Sequence, residues 1–173
     1  MKVTFLVIIL ALNPYILNAL PPLSEVRTQF LAGVEDEKIT KRLLKELDPD
    51  KSKLSPIYLG YFGATQALLA KHSWNPYNKL DYLYKSMTTL KAAISMDSQN
   101  LELRFLRFSI QHYIPSFVGV SKNLIEDRDM MVDLIKRKSY LAEDSQLVKN
   151  VIGFMLETQR CTDPQQVFLK SNL

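Results

Sequence analysis

SWNPYNKLDYLYKSMTTLKAAISMDS, residues 73–98, carries the reading on which the fold turns. Asn75 has a short side chain that can accept hydrogen bonds from free backbone N–H groups. Pro76 follows it with a fixed φ suited to the first position of a helix. Leu80, Leu83, Met87, Leu90 and Ile94 then recur at steps of three and four. Five apolar side chains at that spacing share one stripe over four turns, so the stretch predicts a helix from Pro76 to near Asp97.

The same grammar extends in both directions. Upstream, Ser55-Pro56 is a second helix start, followed by a broad apolar face of Ile57, Tyr58, Tyr61, Phe62, Thr65, Leu68 and Leu69. Gly60, Gly63 and Ala64 in that helix offer a surface that another backbone can approach closely. Earlier still, Ile39, Leu43, Leu44 and Leu47 mark a helix that ends before Asp48-Pro49-Asp50, and a shorter one lies around Val26, Phe30 and Val34.

Downstream, Asn100 can cap a segment from Leu101 to Tyr113. Leu101, Leu103 and Phe105 alternate as in a strand, but Phe105-Leu106 breaks the alternation, and a single strand would lack a partner. The segment therefore reads as a helix buried on two sides, ended by Pro115. Phe117, Val118, Leu124, Ile125, Met131, Val132 and Ile135 give another long helical face, and Leu147, Val148, Val151, Ile152 and Met155 the last major one. Asp163-Pro164 starts a short terminal helix or a frayed tail. The expectation is an all-α domain of about six helices, packed as antiparallel hairpins into a bundle or a short solenoid.

A chain of 173 residues with 47% hydrophobic and 23% charged residues suits one globular domain. The formal charge of +4 comes from interspersed acids and bases, which describes a solvated surface rather than a nucleic-acid site. The densest basic run, Lys136-Arg137-Lys138, falls where a helix should end and its cations complement the helix dipole. Lys2, the apolar run Val3 to Leu12 and small Ala19 have the pattern of an export signal over residues 1–19. The domain is then residues 20–173, exported to the periplasm or secreted, with no transmembrane segment in that part. Cys161 is the one cysteine, so no intramolecular disulfide forms, and it reads as a buried thiol.

Two resemblances bear on the fold. Leu90, Ala93, Ile94, Met96, Asp97, Ser98 and Asn100 resemble the end of a tetratricopeptide repeat, with Ser98 where that family has proline. Tyr58-Leu59-Gly60-Tyr61 is similar to its first-helix pattern. The turn Lys71-His72-Ser73-Trp74-Asn75-Pro76 and the segment Leu103-Arg104-Phe105-Leu106-Arg107-Phe108 resemble small exported helical proteins of Bacteroidetes-type bacteria. The resemblance covers residues 55 to 135, and implies export and a tetratricopeptide-like fold but no activity.

The sequence holds no H-E-x-x-H, no phosphate loop, no cysteine pair and no G-x-S-x-G, and its two histidines, His72 and His112, have no partner at telling spacing. The reading is thus a non-enzyme without cofactor, catalytic residue or metal. Trp74, Tyr77, Arg104, Arg107 and His112 are the candidates for binding a protein or peptide partner, because aromatics and arginine dominate interface hot spots. Arg104 and Arg107, three apart on a helix, either clamp an anion or pair with Glu102, Asp127 or Asp129. The alternative is a small ligand-binding protein or hydrolase with its site near His112. A third reading is self-association through one exposed apolar end.

Overall fold

The computed structural model describes residues 20–48, 53–140 and 144–173. The expected export signal, residues 1–19, lies outside the described residues, as do Pro49 and Asp50 of the first helix-ending turn. Among the described residues there is no strand and there are eight α-helices. They are α1 (Leu23–Gly33), α2 (Glu37–Leu47), α3 (Pro56–His72), α4 (Pro76–Met96), α5 (Leu101–Tyr113), α6 (Leu124–Lys136), α7 (Ser145–Glu157) and α8 (Asp163–Lys170). Eight exceed the expected total of about six; each corresponds to a segment the sequence marks, and the Asp163-Pro164 segment is a helix rather than a tail.

Local chemistry sets the helix boundaries. The Asn75 side chain accepts from the backbone N–H groups of Tyr77 and Asn78, with Pro76 next in line. Asn100 accepts from Leu103 N–H and starts α5, and Asp36 accepts from Lys38 and Ile39 and starts α2. The Gln165 side chain accepts from Thr162 N–H at the start of α8, so Asp163-Pro164 opens a helix rather than a tail.

One element departs from its sequence pattern. The helical face expected from Phe117 to Ile135 is interrupted: Ser116–Val118 forms a single 3-10 turn, Gly119 takes φ +77°, and α6 begins only at Leu124. Pro115 and a glycine in the left-handed region stop an α-helix whatever the hydrophobic spacing around them. Phe117 is accordingly 89% exposed.

The core has two main bodies with α5 between them. Val26, Leu43, Leu47, Phe62, Leu90 and Leu106 pack on one side; Phe108, Met131, Leu134, Ile152, Met155 and Leu169 pack on the other. Helix α5 contributes to both, so it is buried on two sides, as its apolar residues on more than one face imply. Helix α3 is buried all round from Gly60 to Ala70. Its two small residues allow this: a Cβ on Gly60 would lie 2.2 Å from Leu103 Cδ2, and one on Gly63 would lie 3.1 Å from the Leu90 backbone nitrogen. A polar tie spans the N-terminal side, where Arg27 of α1 makes two hydrogen bonds to Glu102 of α5 and Tyr61 of α3 donates a third at 2.6 Å.

Candidate functional site

Arg104 and Arg107 point from α5 into its contact with α6, and both are only 4% exposed. Asp127, fully buried, takes Arg107 in a two-pronged pair, Nε and Nη2 each at 2.7 Å, and Arg104 Nη1 at 3.0 Å. Arg104 also donates Nε and Nη2 to the Ser98 carbonyl, and Glu126 accepts from its Nη1. Of the three acids considered as partners, Asp127 is the one used. Glu102 is occupied by Arg27 and Tyr61, and Asp129 by Arg128 and Gln165. Sequence reasoning missed Glu126, which sits beside Asp127 in the first turn of α6.

Burial opposes the Arg104 charge, but its hydrogen bonds to Asp127 and Glu126 outweigh it and raise the guanidinium pKa. The same bond from Arg104, helped by Asn123, holds the Glu126 carboxyl below the usual carboxylate range. Buried arginines paired with a buried carboxylate form a structural joint between helices.

His112 ends α5, and Arg160 Nε donates to its Nδ1 at 2.8 Å. Its ring lies edge-on to Tyr113 and Phe154, with centroids 4.9 and 5.8 Å away. Burial and then the Arg160 cation lower its pKa, so the neutral ring is favoured, with the other nitrogen carrying the proton. His72 instead ties the end of α3 to the end of α1, with Nε2 2.8 Å from the Gly33 carbonyl oxygen. Among the described residues no group of three or more His, Cys, Asp or Glu side chains is placed to hold a metal ion. A cleft of about 510 Å³ opens between Leu23, Arg27, Leu101, Glu102, Tyr140 and Leu147. It lies at the N-terminal end of α5, some ten residues or about 15 Å along the helix from His112.

Trp74 and Tyr77 are in a different setting. Every residue from Trp74 to Asp81 is exposed, Trp74 completely and Tyr77 at 81%. The cause is a mismatch of lengths. Helix α4 has 21 residues and α5, which returns beside it after a short turn, has 13, or about 31 against 19 Å. The Gln111 side chain near the end of α5 reaches only as far as Met87 in the middle of α4. The first turns of α4 therefore run past α5, while α3 packs along the other side of α4. Leu80, read from sequence as the start of the core stripe, is 39% exposed for this reason, whereas Leu90 is fully buried.

The outer face of α4 carries Tyr77, Asp81, Tyr84 and Lys85, with Lys85 and Asp81 joined at 2.6 Å. Tyr84 is 54% exposed. Of the five candidate residues, then, Trp74 and Tyr77 share one open surface, Arg104 and Arg107 share one closed joint, and His112 is held by Arg160. Tyr84 belongs with the first pair, although it is not one of the five candidates; it is one of the aromatics, with Tyr82, that crowd this hairpin in the sequence.

Comparison with known proteins found no match: no family model, no curated protein and no solved structure matches the chain.

Proposed function

We propose that the protein is a non-enzymatic interaction module of the cell envelope, exported by its first 19 residues, that holds a protein or peptide partner on Trp74, Tyr77 and the outer face of α4. The observation that carries this reading is the complete exposure of Trp74 at the head of eight consecutive exposed residues. Tryptophan is a large, mostly apolar side chain that folded proteins rarely leave wholly in water, and it is enriched where partners bind. A tetratricopeptide-like stacking of hairpins fits such a role, since repeats of that kind present extended faces to partners. The two arginines then belong to the scaffold and not to the binding face.

Affinity capture from the native envelope, with Trp74→Ala/Tyr77→Ala beside the natural protein, tests the reading. A partner retained by the natural chain and lost from the variant is the expected result. Partners that bind both alike would overturn it.

A further inference from the structure

The outer face of α4 is built in two unlike halves. Its N-terminal half carries the rings Tyr77 and Tyr84, with Trp74 two residues before the helix. Its C-terminal half carries the small exposed residues Thr88, Ala92 and Ser95, with exposed Lys91 beside them. The hydroxyls of Thr88 and Ser95 already donate to backbone carbonyls of their own helix, at 2.9 and 2.8 Å, so what they present outward is carbon. Between the halves stand one acid and one base, Asp81 and Lys85. A surface with large side chains at one end, small ones at the other and opposite charges at the centre is its own complement when turned end for end.

We propose that the partner on this face is a second copy of the same chain, packed through antiparallel α4 helices about a two-fold axis between Asp81 and Lys85. The proposal rests on the interaction reading above and names its partner. In that arrangement Asp81 of each copy meets Lys85 of the other, and Tyr84 packs against Tyr84 across the axis. Tyr77 covers Thr88, and Trp74 covers Ala92. A two-fold contact demands such a self-complementary patch, since the same residues serve on both sides.

The area is sufficient. Scaled by exposure, Trp74, Tyr77 and Tyr84 offer on the order of 500 Å² per copy. The small-residue half adds the remainder of the roughly 800 Å² per partner found in stable complexes. The i, i+4 pairing of Asp81 with Lys85 within one copy costs little to exchange, because both groups are more than half exposed.

Sedimentation equilibrium of the full chain is the test. We expect a monomer–dimer equilibrium. Tyr77→Ala/Tyr84→Ala should abolish the dimer with an unchanged circular dichroism spectrum. Asp81→Lys, which sets like charges opposite each other twice, should raise the dimer dissociation constant at least about tenfold. Adding Lys85→Asp to Asp81→Lys should restore it, which a merely disrupted helix would not do. A chain that stays monomeric up to about 1 mM, or a dimer indifferent to the charge exchange, overturns the proposal. If the monomer still loses a captured envelope protein on Trp74→Ala/Tyr77→Ala, the face binds something other than itself. If capture is unaffected as well, the interaction reading falls with it.

Discussion

The two sides of the helical stack handle their large polar and aromatic side chains in opposite ways. Between α5 and α6, four charged groups are folded together until the arginines are almost dry, with each guanidinium answered by Asp127. On α4, rings of comparable bulk stand in water with nothing over them. The first arrangement is closed: both arginines are held by acids, and adding a ligand would mean breaking a bond already made. The second is open, and contact there costs only the water it displaces. What separates them is whether another helix packs over the side chains.

The largest effect should come from Asp127→Ala, which leaves two buried arginines with one exposed acid between them. A loss of about 3–5 kcal/mol in urea denaturation is expected; a change under about 1 kcal/mol would show that the joint is solvated. Glu126→Ala removes the half-exposed member of the same cluster and should cost no more than about 1 kcal/mol by the same measurement. Equality of the two would mean that burial does not rank them. Tyr84→Ala on the open side should leave stability within about 0.5 kcal/mol while weakening association, because no partner inside the fold is lost.

The smallest effect concerns His112. Burial and the Arg160 cation lower its folded pKa, so the unfolded chain binds that proton more readily. Its contribution is whole above the unfolded histidine value, near about 6.5, and is lost as pH falls through that value towards the folded one. An NMR titration of the His112 ring should give a midpoint below that of His112 in urea-unfolded chain, and Arg160→Gln should move it upward. A midpoint at or above the unfolded value would break the assignment.

Legibility in the sequence followed the range of the forces involved. The starts of α4 and α5 were readable because a cap acts within three residues: Asn75 and Asn100 bond to N–H groups that their own positions dictate. The double burial of α5 was readable from apolar residues at Leu101, Leu103, Phe105, Leu106 and Phe108, which fall on more than one face of a helix. The stop before α6 was not, because the hydrophobic spacing from Phe117 onward continued through Gly119 and outvoted the backbone conformation. At the candidate site the sequence supplied the right residue types but not their orientation. Arg104 and Arg107 look the same on paper whether they face an acid on another helix or open water. The choice rests on Asp127, twenty residues beyond Arg107. Leu80 failed similarly: its spacing belongs to the core stripe, and only the length of a neighbouring helix exposes it.

The position of α5 as a wall common to both core bodies makes the molecule indivisible. Cutting the chain in the turn before Leu101 would strip the first half of Leu103 and Leu106 and leave the second half with an uncovered flank of α5. Neither piece would own a finished interior. Duplication, truncation or grafting of a single hairpin from this protein is therefore closed to evolution and engineer alike, unless a replacement for α5 travels with it.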